Sequence, residues 1–486
     1  MSAVDALAVS RVVGIQTQFK DFGSGRVRFL PQRIAVIGQG KSAETYSLDK
    51  YAVTSAAQVA ARYGFGSPLH LAAMMLFPKN GDGVGSIPVT IYPLEDDSMA
   101  VTAAGNLAAL GTQTETAEYK IKVSNIEATV VLQEDDTADT ALGRIRTAIL
   151  AVLEMPIIPG AVAAGNLPFD VKWAGESGND VHVEIDGDAH GIVFTITQPV
   201  GGLVNPDITE ALEQMGSVWE TIVVNCLNYD DTDALDALQE AGETRWGPLE
   251  KKPFFTISGT GDAYAVRTVI TDARADDKIN VLESCPGCWN LPAQIAARAA
   301  ARIAVKAQNN PPLNYSDKLT GLTPGDDAYQ EEWATRDLSV KAGSGTTIVV
   351  GDEIEMNDTI TMYHPEGEEP PGFRYVVDIV KLQNVIYNCR LIFESEEWKG
   401  APLLPDATPT VNPAAKKPKD AKTALCNLAA NLALEAILAE SDFTKENMTA
   451  VINSTNPKRL DWTYPVKLSG NVEIIDGTIN FGFYFG

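Results

Sequence analysis

At 486 residues the chain outgrows one hydrophobic core and predicts about two to four domains. Its residues are 45% hydrophobic and 21% charged, a globular balance, and a formal net charge of -26 excludes nucleic acid as partner, since phosphate binding needs clustered cations. Five cysteines, sparse and odd in number, imply a reducing compartment and no disulfide framework. Residues 1–7 carry Asp5 and no basic stretch, so no signal peptide is expected. No apolar run approaches membrane-spanning length, so a cytoplasmic origin without membrane insertion is expected.

Residues 9–19 form a short apolar–polar strand pattern, with Val9, Val12, Val13 and Ile15 as its apolar positions, before a Gly/Ser-rich link at 21–25. A buried strand is predicted at 33–37, helices at 56–63 and 68–77, and a strand at 87–92 after the Gly-rich turn 80–85. From 96 to 205 the character changes. Sixteen acidic residues face five basic ones, and Thr/Val-rich strands at 119–123, 181–185 and 191–197 surround one helix at 140–155. The pattern predicts a small, solvent-facing, β-rich insertion, with membership of one large domain as the alternative.

Strands at 221–225, 253–257 and 278–282 then alternate with helices at 232–243 and 264–274, the rhythm of a mostly parallel sheet. An Ala-rich helix, 291–308, is stopped by Asn309-Asn310-Pro311-Pro312. Residues 337–364 read as β-rich. A helix at 376–398 presents Ile379, Leu382, Ile386, Cys389 and Phe393 on one predicted core face. A surface loop, 401–413, leads to a helix at 418–440. The last strand, 478–485, sets Ile479, Phe481, Phe483 and Phe485 on one side, and Asp476-Gly477 is a hairpin signal that can fold it back on 472–475. The expected fold is multidomain α+β. A mixed α/β core (31–95 and 206–468) carries the β-rich insertion (96–205) and extended strand arms at the N-terminus (1–30) and C-terminus (469–486).

The chemical motifs fail on spacing. Gly38, Gly40, Lys41 and Ser42 follow a buried strand, as in a nucleotide-binding enzyme, and that is the rival reading. A phosphate loop, however, needs a glycine where Ala35 stands and a helix immediately after. Cys285 and Cys288 have redox spacing, but Trp289 and Pro292 delay the helix whose N-terminus would activate the first thiol. Asp186 to Gly191 begins like a calcium loop, yet its twelfth position is Thr197. No zinc set and no nucleophile elbow are present. Neither a catalytic residue, a metal ligand nor a cofactor is assigned.

Two features remain. Lys416, Lys417, Lys419 and Lys422 cluster at a predicted helix start, where the helix dipole disfavours cations, so a negatively charged partner is expected there. The aromatic face at 478–485 must pair with something, because an unpaired apolar edge invites aggregation.

Several words of the sequence resemble the contractile tail sheath proteins of Mu-like bacteriophages. They include Pro31-Gln32-Arg33-Ile34-Ala35-Val36-Ile37-Gly38-Gln39, Val53-Thr54-Ser55-Ala56-Ala57-Gln58 and Arg62-Tyr63-Gly64-Phe65-Gly66-Ser67. Trp219-Glu220-Thr221-Ile222-Val223-Val224, Arg245-Trp246-Gly247-Pro248 and Asn456-Pro457-Lys458-Arg459-Leu460-Asp461 follow in family order. The resemblance implies a non-enzymatic subunit of the virion tail, assembled in the host cytoplasm. Copies would stack as six-fold rings in a helical sleeve around the tail tube protein, with baseplate and tail terminator proteins as further partners. It also implies that both arms add strands to neighbouring copies, and that contraction drives the tube through the host envelope.

Overall fold

The structure, a computed structural model, describes residues 27–367, 372–472 and 477–479. Its first strand, β1 (Ile34–Gln39), is buried along its whole length, as a strand covered on both faces must be. There follow β2 (Tyr51–Val53), α1 (Ala56–Tyr63), α2 (Pro68–Leu76) and β3 (Val89–Leu94), which is equally buried. Serine caps open both helices: Ser55 accepts the Gln58 N–H, and Ser67 accepts that of His70 ahead of Pro68.

The chain then leaves this sheet. It forms β4 (Thr102–Gly111), β5 (Ala117–Val123), β6 (Ile126–Leu132), α3 (Ala138–Ala151), β7 (Ile157–Pro159), β8 (Asn166–Ala174), β9 (Val183–Asp186) and β10 (Ile192–Val200). These strands build two antiparallel sheets, ordered β10-β4-β8-β7 and β6-β5-β9. Alternate residues point inward, so Leu107, Phe169 and Trp173 of one sheet meet Tyr119 and Ile121 of the other and Leu142 and Ile145 of α3 in one core. Helix α3 starts earlier and stops earlier than its predicted span of 140–155, because Thr137 caps it by accepting the Thr140 N–H.

The return path is α4 (Thr209–Met215), β11 (Ile222–Asn225), α5 (Thr232–Trp246), β12 (Phe255–Thr260), α6 (Tyr264–Asp272), β13 (Asn280–Ser284) and α7 (Pro292–Asn309). The central sheet has the order β13-β12-β11-β1-β3-β2. All its pairings are parallel except that of β2, which lies antiparallel on β3 at the edge. Alternate residues of β1 sort to its two sides. Ile34 and Val36 pack with α1, α2 and the Ala-rich α7, while Ala35 and Ile37 pack with α4 and α5. The Ala-rich α7 lies close to the sheet because Gly259 of β12 has no side chain. A Cβ there would stand 2.4 Å from the Pro292 carbonyl and 2.8 Å from Ile295 Cβ.

Helix α8 (Trp333–Lys341) and the hairpin β14 (Thr346–Val350) and β15 (Glu353–Asp358) precede α9 (Val376–Phe393). Helix α9 departs from the expected pattern: it ends at Phe393 rather than 398, and Leu382, Ile386 and Phe393 are only half-buried. Its most buried residues include Lys381, Gln383 and Asn384, each fully shielded. Each bonds a backbone or side-chain group of another segment, which offsets the usual penalty of a buried polar group, while Gln383 Oε1 has no hydrogen-bond partner among the described residues.

Two compact units divide the chain: Phe29–Ile386 with Asn471–Gly486, and Met1–Arg28 with Tyr387–Gly470. The smaller one contains α10 (Pro418–Leu434), α11 (Ser441–Asn447) and a two-stranded antiparallel sheet of β16 (Thr449–Ile452) and β17 (Leu460–Thr463). Helix α10 stops at Leu434 instead of 440, where Ala436 adopts a φ of 54°. Leu425 and Leu432 of α10 are buried, and Phe393 stacks on Trp462 with ring centroids 5.3 Å apart. In this unit Asn388 exchanges two bonds with the Arg28 backbone, accepting its N–H at 3.2 Å and donating to its carbonyl at 3.0 Å.

Two substitutions test these packings. Gly259→Ala should cost about 1–3 kcal/mol through overpacking against α7, read as a lower denaturant midpoint at unchanged slope. Glu283 of β13 is fully buried, and among the described residues neither carboxyl oxygen has a hydrogen-bond partner. Burial, and then the nearby Asp358, push its pKa well above the usual carboxyl value. The folded form therefore holds a proton that the unfolded chain has released, and stability declines as pH rises above the ordinary carboxyl range of about 4.5. Glu283→Gln should flatten that decline, with its stabilising effect larger at pH 8 than at pH 5 in parallel thermal melts.

Candidate assembly surfaces

The sequence elements that suggested enzymatic chemistry are bound up in structure. After β1 the backbone N–H groups of Gly40, Lys41 and Ser42 donate to the Tyr46 hydroxyl, the Tyr63 carbonyl and the Lys172 carbonyl, at 3.0, 2.7 and 3.0 Å. The Ser42 hydroxyl donates to Asp96 and accepts the Ala174 N–H. No helix begins until Ala56. A phosphate would find neither a backbone cradle nor a helix N-terminus, which overturns the nucleotide reading of this loop.

Cys285 and Cys288 are buried, unbridged thiols. Burial pushes Cys288 up to about 11 and Cys285 well above its ordinary value, the opposite of redox activation. Cys288 borders a cavity of about 350 Å³ that also includes His182, Tyr229, Asp262 and Trp289. There the Tyr229 hydroxyl donates to Asp262 at 2.6 Å, and burial lowers the His182 pKa. That set contains no activated nucleophile. Among the described residues no group of three or more His, Cys, Asp and Glu could hold a metal, and no helix is long and apolar enough to cross a membrane.

The lysine cluster splits in two. Lys416 ion-pairs with Glu397 and lies over the Trp398 ring, 5.3 Å from its centroid. The Lys417 ammonium donates to the Thr408 carbonyl at 2.5 Å. Lys419 and Lys422 are exposed on the first turns of α10. Asp420, in the same first turn, accepts the Lys417 N–H at 2.8 Å and supplies the negative charge that a helix N-terminus favours. Sequence spacing counted four equivalent cations; packing leaves two on the surface.

Lys416 and Asp420 also border a groove of about 860 Å³ in the smaller unit, between the end of α9 and α10, closed at one side by Val27 and Arg28. In the same unit, β16 and β17 pair only with each other among the described residues, so each has an edge without a strand partner there. Val451 of β16 is 55% exposed and Trp462 of β17 is 37% exposed. Sequence reading did not single out this hairpin. The alternation Thr449-Ala450-Val451-Ile452 is short, and Asn453 to Arg459 between its strands is longer than a tight turn.

Of the predicted arm residues, Val9, Val12, Val13, Ile15, Phe481, Phe483 and Phe485 lie outside the described residues. Ile479 is described: it belongs to no strand and is 89% exposed. The proposed backing of the last strand, 472–475, is described only at Val472, also highly exposed.

No family model matches the chain. It is 24% identical to the Mu-like prophage FluMu tail sheath protein of Haemophilus influenzae over 449 residues, covering 90% of this chain and 88% of the relative. The fold matches the crystal structure of a sheath tail protein from Listeria innocua with a TM-score of 0.50 at 10% identity, covering 92% of this chain and 94% of that one. It also matches the anti-feeding prophage helical sheath in its contracted state, with a TM-score of 0.50 at 10% identity over 97% and 99% of the two chains.

Proposed function

We propose that this chain is a tail sheath protein, the repeating subunit of a contractile phage tail sheath. The observation that carries the reading is the likeness to a tail sheath protein along nine-tenths of the chain. In this reading the protein is structural and catalyses nothing. Copies stack as hexameric rings around a tail tube, between baseplate and terminator proteins, and contract to drive the tube into the host.

Physical chemistry supports each part. A head-to-tail interface that does not close on itself generates a helical polymer. Terminal segments that add strands to a neighbour gain backbone hydrogen bonds whatever the side-chain fit, so the link survives when body contacts change. Each bond contributes about 1 kcal/mol net, so a donated strand adds roughly several kcal/mol. About 20 extended residues reach at most ~70 Å, enough to cross into an adjacent copy. The open edges of β16 and β17 are the receiving surface in this reading, with the incoming strand adding its backbone hydrogen bonds to one of them. Two body packings of different energy then supply the bistability that contraction requires. The acid-rich segment, 96–205, faces outward, and Lys419 and Lys422 face the tube.

Negative-stain microscopy of the purified full chain should show rings or tubes, and a chain lacking 478–486 should stay monomeric. Compact monomers of the full chain at every concentration would overturn the reading. The charge reversals Lys419→Glu and Lys422→Glu should weaken sheathing of purified tubes while sparing tube-free polymers; equal sheathing by variant and wild type removes the tube assignment.

A further inference from the structure

Helix α9 buries polar side chains where a core helix normally carries apolar ones. Lys381, Gln383 and Asn384 are fully shielded, and a buried ammonium is stable only when paired and hydrogen-bonded. Lys381 donates to Asp378 one turn back, at 3.0 Å, and to the Asn471 side chain at 2.7 Å. Asn471 in turn donates to the Pro312 carbonyl at 2.9 Å, just beyond the end of α7. One turn further along α9, the Asn384 side-chain oxygen accepts the Leu30 N–H at 2.8 Å while its amide donates to the Val380 carbonyl.

The neighbouring Gln32 completes the arrangement. It is fully buried, its N–H donates to Gln308 of α7, its amide donates to the Leu30 carbonyl, and its oxygen accepts from Thr221. The chain is thus fastened at Leu30 and Gln32 where it enters the larger unit, and at Asn471 after it comes back from the smaller one. Both fastenings use α9 together with α7 or the turn just after it.

The geometry points to α9 as one common anchor for both terminal segments, with Lys381 holding the C-terminal segment at Asn471 and Asn384 holding the N-terminal segment at Leu30. The inference rests on the reading that these segments link neighbouring copies. Tension arriving along either segment then enters the same helix, and passes into the sheet-backed body without peeling a strand. Fixed roots also restrict where each segment can search, which raises its effective concentration at a neighbour. Asn384 and Lys381 are positioning residues: they touch the roots, not the partner copy.

Amide hydrogen exchange and polymerisation of the full chain test the anchor together. Asn384→Ser should speed exchange of the Leu30 amide. Asn471→Ala, which leaves Lys381 its Asp378 partner, should keep unfolding cooperative, with only a modest fall in midpoint. It should also raise the concentration needed for polymers by roughly tenfold, the equivalent of about 1.4 kcal/mol. Asn471→Asp, which keeps an acceptor for Lys381, should restore wild-type assembly. Lys381→Met repeats the test where it folds.

If the wild type polymerises and loss of 478–486 stops it, while Asn471→Ala assembles as wild type does, the anchor is wrong and the sheath reading stands. If the wild type never polymerises, the sheath reading fails. The anchor is then decided by exchange alone: unchanged protection of the Leu30 amide in Asn384→Ser refutes it.

Discussion

The parallel pairing of β1 with β11 sets Ile34 opposite Ile222, with the whole acid-rich segment between them in sequence. Parallel neighbours cannot be joined by a tight turn, and a strand at the centre of such a sheet must be covered on both faces. Those two requirements account for much of the larger unit. They call for helices on each side of the sheet, for apolar strands without alternation, and for a long excursion that leaves beyond β3 and returns before β11. In open sheets of this kind ligands bind beyond the carboxyl ends of the strands, where the strand order reverses. Here that position is filled by the protein itself: Gln39 donates to Asp96 and to the Ala174 carbonyl, and Ser42 is bonded to Lys172 and Ala174. The excursion is seated where a nucleotide would otherwise lie, which is why a glycine-bearing loop after a buried strand carries no phosphate chemistry.

The central sheet was legible because its strands and helices declare themselves by composition. Ile222-Val223-Val224 and Ile34-Ala35-Val36-Ile37 are uniform apolar runs. The excursion was only partly legible. Strand β4 reads Thr-Ala-Ala-Gly-Asn-Leu-Ala-Ala-Leu-Gly, a composition with little β preference, and it forms because β8 and β10 flank it on both sides. Strand β8 alternates apolar with charged residues, as a half-buried strand does, but Pro168 interrupts it and it is not among the predicted strands. Helix α9 misled in the opposite sense. Its apolar stripe suggested one buried face, but Asn384 and Lys381 are drawn inward by groups from distant segments, a cause that no local window contains. The lysine cluster shows the same limit, since Glu397 and Thr408 decide which lysines remain outside.

The smaller unit has a different economy of structure. Its two-stranded sheet would be marginal by itself, and it draws support from α10, through the Tyr464 hydroxyl donating to the Leu425 carbonyl, and from the stacked Phe393 and Trp462 rings. Such a sheet gains more from a third strand than a completed one would.

One detail of the excursion has a kinetic meaning. Val101 and Leu203 exchange two backbone hydrogen bonds at 3.0 and 3.2 Å, which closes the base of the segment between them into a handle. Before that base forms, bringing β1 and β11 together requires closing a loop that spans the entire excursion, a contact of high sequence separation that folds slowly. Once the handle is shut, the route between the two strands shortens by the length of the handle. The entropy of closure depends only logarithmically on length, with each doubling adding about 0.6 kcal/mol. A handle closed at its base can also lengthen or shrink over evolutionary time without the sheet registering the change.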